Sequence, residues 1–357
     1  MTDPAAPEAA DVLIAAGAAV PAGTESTVNQ ADLVLEGGGV KGIGLAGAVL
    51  ALDRAGYRFQ RVAGTSAGAV AAAIIAALNR AGQPVSKLYD YLQTMRYEQF
   101  MTKSRARAAL GALADAEHLL LHMGLYDGDY LIDWLGGVLK EIGVVYFGDL
   151  KLNDAGMDSH WTPQQCYSLV VHVSDISRGK LVRLPWDYAE YGIDTDHERI
   201  VDAVRASMSI PFFFEPVRIR VSGSAAGHGP SDFGRVTWVD GGVLDNFPVD
   251  VFDRTDGAPS RWPTIGIKLS ARQTSMAAVH GTDNVAEEAI ACLQTVLDNA
   301  DRFYVQPDQA AKTIFVDNGG VKATDFNLTI AQQQMLFENG QQAARDWLAA
   351  LALTAGS

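Results

Sequence analysis

Apolar and polar residues fall into blocks of two kinds along this chain. Residues 32–35 (Asp-Leu-Val-Leu) and 59–63 (Phe-Gln-Arg-Val-Ala) are short apolar runs that predict buried strands. A longer apolar block follows each of them. Leu45, Val49 and Leu52 recur at helical spacing within 42–56, closed by Gly56, and 67–82 is almost wholly apolar. Strand, helix, strand and helix in so short a span predict parallel strands with right-handed crossovers, and so an α/β fold.

The pattern then changes. Residues 84–162 hold many aromatic and long apolar side chains, Tyr91, Phe100, Tyr126 and Trp134 among them, with helices predicted at 85–95, 103–122 and 128–141. This stretch reads as a helical insertion that packs on the core or covers a site. Strands resume at 167–175 and 180–185, joined by a turn at Ser177-Arg178-Gly179. Thr195 to Glu198 has a capping-box pattern and is expected to open a helix running to about Ala206. Residues 217–221 alternate by two, 222–234 form a Gly/Ser-rich turn, and further strands are expected at 235–240, 264–270 and 313–318. Long helices are predicted at 284–303 and 328–350. The first 30 residues, rich in Ala and Pro, read as a poorly ordered tail, and 31–352 as a single catalytic domain.

Composition narrows the function. Lys and Arg number 28 against 42 Asp and Glu, a formal charge of -14. Such a balance opposes nonspecific nucleic-acid binding and strong attraction to anionic lipid, although whole-chain charge hides local patches. The two cysteines, Cys166 and Cys292, sit in apolar surroundings and read as buried free thiols, with no disulfide framework. The seven histidines are scattered and form no metal-ligand spacing, so neither a metal nor a cofactor is expected. The N-terminus is acidic before its short apolar stretch, unlike a secretory signal. No run reaches the roughly 20 apolar residues of a membrane span. A cytoplasmic protein is the expectation, with membrane contact at most peripheral and transient; a secretion route that reads no N-terminal signal stays open.

Three motifs carry the chemistry. Gly37-Gly38-Gly39-Val40-Lys41-Gly42 satisfies G-x-G-x-x-G after a strand and before a helix. A dinucleotide site would need an acidic residue at the end of the second strand, where Val62-Ala63-Gly64-Thr65-Ser66 stands instead. The glycines suit an oxyanion loop better, with Gly38 and Gly39 as backbone donors. Gly64-Thr65-Ser66-Ala67-Gly68 matches G-x-S-x-G, the sharp strand-to-helix turn that projects a nucleophilic serine. Ser66 needs a base. No histidine offers a clear case, and none that follows the nucleophile stands convincingly in the late position of the usual α/β-hydrolase order. Asp240 ends an apolar strand before Gly241 and Gly242, at the strand end where α/β sheets build their sites. Its carboxylate is the candidate base for a Ser66–Asp240 dyad.

These motifs, each after a strand and in this order, resemble the patatin-like phospholipases, Ser-Asp dyad hydrolases of lipid acyl esters. Residues 207–217, Ser-Met-Ser-Ile-Pro-Phe-Phe-Phe-Glu-Pro-Val, are similar to the family's A-S-x-x-x-P-x-x-F-x-P segment. Residues 241–248 are similar to its D-G-G-x-x-x-N-x-P extension, in which Asn246 and Pro248 shape the loop that holds Asp240. The resemblance spans about 32–350. It implies a three-layer α/β hydrolase with a central, mostly parallel sheet. It also implies an acyl-enzyme mechanism with Ser66 as nucleophile, Asp240 as base and Gly38 and Gly39 as oxyanion donors. Gly37, Gly42, Gly64, Gly68, Gly241, Gly242 and Asn246 would support them. Met208, Ile210, Phe212, Phe213 and Phe214 are candidates for the acyl wall. The expected substrate is a lipid or other acyl ester, met at a membrane or micelle. Acyl transfer to an acceptor other than water, and a lipid-binding protein without turnover, are the competing readings.

Overall fold

The computed structural model describes residues 28–101, 124–153, 162, 165–221, 234–254, 256, 258, 260–269, 307–323 and 325–355. The tail predicted over the N-terminus lies outside them up to residue 27, as do the helices predicted at 103–122 and 284–303.

In chain order the elements are β1 (Asn29–Leu35), α1 (Ile43–Arg54), β2 (Tyr57–Thr65), α2 (Ala67–Arg80) and α3 (Lys87–Gln93). Next come β3 (Gly124–Tyr126), α4 (Asp129–Ile142), β4 (Leu169–Asp175), β5 (Lys180–Leu184) and α5 (Ile200–Ser207). They are followed by β6 (Phe212–Phe214), β7 (Val217–Arg220), β8 (Arg235–Asp240), β9 (Thr264–Lys268), α6 (Pro307–Ala311), β10 (Thr313–Phe315) and α7 (Ile330–Ala355). Eight strands form the central sheet in the order β10-β9-β1-β2-β4-β8-β7, with β5 also paired to β4. The pairings from β10 through β4 are parallel; those of β4 with β5 and β8, and of β8 with β7, are antiparallel.

The apolar runs of the sequence follow from this arrangement. β4 and β9 are buried along their whole length and β1 over its last five residues, as parallel strands covered on both faces must be. α2 is buried from Ala67 to Leu78, so it has no polar face to present until its last turn. α7 packs along α1. Among the described residues no helix is long and apolar enough to cross a membrane.

One feature of the topology positions the chemistry. At His172, β4 pairs with Thr65 of β2 and with Arg183 of β5, so those two strands lie on opposite edges of it. At Val173, β4 pairs with Val182 of β5 and with Asp240 of β8. β2 and β8 therefore share one edge of β4, approach from opposite directions and meet end to end at neighbouring residues. The residue after β2 is Ser66, and the last residue of β8 is Asp240.

Three expectations are corrected. The helix expected to open at Thr195 does not: Thr195–His197 is a 3₁₀ turn, Glu198 and Arg199 are extended, and α5 begins at Ile200. The Phe147 N–H donates to Glu198 O and the Ile200 N–H to Val145 O, so pairing with 145–147 overrides the local capping pattern. The triple phenylalanine forms β6, which pairs in parallel with β3 as a second, two-stranded sheet that no periodicity announced. Cys166 is half-buried rather than buried, with its thiol 3.4 Å from Thr162 O; Cys292 lies outside the described residues.

Candidate active site

Ser66 occupies the turn between β2 and α2 with φ 52° and ψ −122°. A non-glycine residue at positive φ is held there at a cost of about 1–3 kcal/mol and persists only where its surroundings fix it. A serine at positive φ in a sharp strand-to-helix turn is the backbone that the G-x-S-x-G motif calls for. Gly68, the second residue of α2, lies against the end of β1: a Cβ there would overlap Leu35 O and stand 2.6 Å from Glu36 O. Gly64, its counterpart before the serine, has its carbonyl 3.4 Å from His172 Nδ1.

Asp240 is buried, with 3% of its surface exposed. Its Oδ1 accepts the Gly242 N–H at 2.9 Å, while Oδ2 is enclosed with no hydrogen-bond partner among the described residues. Burial pushes the carboxyl up from 3.8 to about 7; the Gly242 N–H and the nearby Ser66 hydroxyl pull against that rise. Gly241 is held from the other side, its carbonyl accepting the Ser174 hydroxyl at 3.1 Å.

The glycine loop lies beside the serine: a Cβ on Gly37 would stand 3.1 Å from Ser66 Cβ. Among its N–H groups, that of Gly37 is committed to Asn246 O at 3.2 Å, that of Val40 to Ala323 O at 3.1 Å and that of Lys41 to Gly38 O at 3.2 Å. Those of Gly38 and Gly39 have no acceptor among the described residues. Gly39 has φ 55°, and a Cβ on it would land on Ala323 O, so only glycine fits. Asn246 ties the loop to the Asp240 turn, since its Nδ2 also donates to Gly37 O at 3.0 Å. At the loop's root, buried Glu36 accepts from Lys268 Nζ at 2.5 Å and from the Leu269 N–H, which fastens the end of β1 to the end of β9. Lys41 is half-buried beside Gly38 and has no carboxylate partner among the described residues.

A narrow apolar pocket opens next to these groups, with a cavity volume of about 20 Å³. Gly39, Gly42 and Ala67 join it to the loop and the serine turn. Leu92, Met95, Tyr97 and Phe100 line it from the predicted insertion, and Met208, Ile210, Phe214 and Phe326 complete the wall. Of the five acyl-wall candidates, Met208, Ile210 and Phe214 are therefore in it. Phe213 stands behind, stacked on Phe326 at 5.0 Å, and Phe212 is exposed with φ 68°.

Two of the seven histidines are described in full. His172 is buried beneath the turn, and burial lowers its imidazole to about 4, so it is neutral; it has no hydrogen bond to Ser66 or Asp240. His197 is exposed and pairs with Asp194 at 2.7 Å. His118, His122, His160, His228 and His280 lie outside the described residues. Among the described residues, no group of three or more His, Cys, Asp or Glu side chains could hold a metal ion.

The patatin-like phospholipase family model matches residues 33–253, from β1 to just beyond the Asp240 turn. The chain belongs to that family. Membership of the family supports lipid acyl hydrolysis as its general activity. YqhO of Bacillus subtilis (strain 168) is 34% identical over 311 residues, covering 87% of this chain and 95% of YqhO. Among solved structures, VipD of Legionella pneumophila is similar at 17% identity and a TM-score of 0.47, over 90% of this chain and 67% of VipD. The type III effector ExoU of Pseudomonas aeruginosa is similar at 17% identity and a TM-score of 0.44, over 90% of this chain and 53% of ExoU. This chain thus spans about half the length of ExoU.

Sequence reasoning about this patatin-like site missed several groups. Ala323 and Phe326 reach the glycine loop and the pocket from a segment nearly 300 residues away along the chain, with only Phe326's place before the last helix as a signal. Lys268 ends a strand of apolar residues, and its burial against Glu36 was readable only as a charge in an apolar run. Ser207 lies in the family-like segment, but its partner, Ser66, could not be read from spacing.

Proposed function

We propose that the protein is a serine lipid acyl hydrolase, of the phospholipase A, lysophospholipase or carboxylesterase type, working through a Ser66–Asp240 dyad. The observation that carries the reading is the strained Ser66 near a buried Asp240 whose Oδ2 has no hydrogen-bond partner among the described residues. Asp240 takes the Ser66 proton as Oγ attacks the ester carbonyl. The N–H groups of Gly38 and Gly39 receive the oxyanion. The proton passes to the departing alcohol or lysolipid, leaving an acyl ester on Ser66. Water, giving its proton to Asp240, attacks that ester; the fatty acid leaves and Ser66 recovers its proton. A carboxyl with a pKa near 7 is a better base than an exposed one would be and is still half ionised at neutral pH.

The lining of the pocket is almost wholly apolar, which suits an acyl chain better than a polar group. Lys41, which has no carboxylate partner among the described residues, favours an ester that carries an anionic phosphate over a neutral acylglycerol. The test is fatty-acid release from phospholipid, lysophospholipid and acylglycerol, with Ser66→Ala and Asp240→Asn alongside. Release abolished in both folded variants supports the dyad; undiminished release from Ser66→Ala rejects it. Transfer of the acyl group to an added alcohol in place of water would make the acyltransferase reading the better one.

A further inference from the structure

Both members of the dyad are anchored to one short segment. α5 ends at Ser207, and the chain turns through Met208 to Ser209. The Ser66 N–H donates to Ser207 Oγ at 2.9 Å, and the same hydroxyl donates to His172 O at 2.6 Å. Two residues on, Ser209 O accepts the Asp240 N–H at 2.9 Å. Ser209 is itself braced: its hydroxyl accepts from Arg205 Nη1 at 2.6 Å and donates to Arg205 O at 3.0 Å. Arg205 in turn holds Glu215 O at 3.0 Å and Asp127 O at 3.1 Å. Both serines are fully buried.

We propose that residues 207–209 are the gauge that fixes the separation of Ser66 from Asp240, with Ser207 as the positioning residue for the nucleophile. The inference rests on the dyad reading above and goes beyond it. Ser66 is the N-cap of α2, where a backbone N–H has no intrahelical acceptor, and the Ser207 hydroxyl is the group that satisfies it. That hydroxyl is bonded at once to the end of β2 and to β4, so it sets the elbow against the strand that also pairs with Asp240. The Ser66 N–H, being committed, is not an oxyanion donor, and that work falls to Gly38 and Gly39. Ser207 does not line the pocket, nor is it among the groups that shift the Asp240 carboxyl. Its loss therefore misplaces the attacking atom while leaving acyl binding and the ionisation of the base alone.

The experiment uses the full chain and a fluorophosphonate probe, which labels an activated serine whatever the natural substrate. Labelling rate, kcat, KM and pH profile are measured for wild type, Ser207→Ala, Ser207→Thr, Ser207→Cys and Ser66→Ala. In Ser207→Ala, labelling and kcat fall together by about 10- to 100-fold, as expected for a misplacement of about 1 Å. KM stays within about twofold, and the pH midpoint does not move. Ser207→Thr keeps the hydroxyl and recovers most of the loss. Ser207→Cys keeps the size with a poor acceptor and behaves like alanine; it decides the matter if alanine does not fold. Wild-type labelling and kcat in folded Ser207→Ala or Ser207→Cys would overturn the gauge while leaving the dyad standing. Labelling that persists in Ser66→Ala would overturn the dyad, and the gauge with it.

Discussion

Replacing Asp240 with asparagine removes the proposed base, and the same change should make the fold more stable at alkaline pH. Burial lifts the Asp240 carboxyl from 3.8 to about 7. A rise of about three units, at about 1.4 kcal/mol per unit, amounts to about 4 kcal/mol. Between pH 3.8 and about 7 the folded protein keeps a proton that the unfolded chain has released. Raising the pH across that window therefore favours unfolding. The stability contributed by the neutral carboxyl is complete below the lower value, declines through the window and is gone above the upper one. Asparagine cannot ionise, and its Oδ1 still accepts the Gly242 N–H that Asp240 accepts at 2.9 Å. Its stability lacks the decline, so the variant gains on wild type by up to about 4 kcal/mol between pH 4 and pH 8. How well the new amide NH₂ is satisfied shifts the whole difference by a constant and leaves its pH dependence alone. Urea unfolding of both proteins at pH 4.5, 6 and 8 reads the effect directly. Activity should fall by about 10²- to 10⁴-fold in the same protein, the usual share of a general base. Parallel stability curves would refute the reasoning, because they would mean that Asp240 is as ionised in the fold as outside it.

Wild-type kcat/KM should rise with pH to a plateau, with its midpoint near the Asp240 value of about 7; a midpoint near 4 would point to an ordinary carboxylate as base. Asn246→Ala leaves Gly37 O, which it binds at 3.0 Å, without its donor. The expected cost is about 1–3 kcal/mol in thermal unfolding, with a fall in kcat as the loop loosens. Gly39→Ala forces a side chain onto Ala323 O at φ 55°, and should lower kcat by about 10²- to 10³-fold in an ester assay. Phe326→Leu enlarges the pocket at one wall and should move the optimum of a graded p-nitrophenyl ester series to longer acyl chains, leaving acetate turnover unchanged.

The parts of this molecule that were legible in its sequence are those whose causes are local. β1, α1, β2 and α2 announce themselves because strands and helices packed on both sides need near-continuous apolar residues. The elbow and the Asp240 turn announce themselves because tight strand ends need glycine next to the working side chain. What was not legible depends on partners far away in the chain. Nothing near Ser66 or Asp240 says that β2 and β8 abut on one edge of β4, since register is a property of the assembled sheet. The start of α5 was misjudged because residues 198–200 pair with 145–147, a contact worth more than a favourable cap. The triple phenylalanine divides its three rings among the pocket, the stack behind it and the surface, a split that follows from pairing β6 with β3.

The central claim is that turnover passes through an acyl ester on Ser66. Its most direct test is to quench the protein with acid during hydrolysis of a slowly deacylated p-nitrophenyl ester, and to digest and weigh its peptides. The account predicts the mass of the acyl group on the peptide that contains Ser66, absent from Ser66→Ala and strongly reduced in Asp240→Asn. Continuing turnover with the acyl group on another residue, or undiminished turnover in Ser66→Ala, would contradict it.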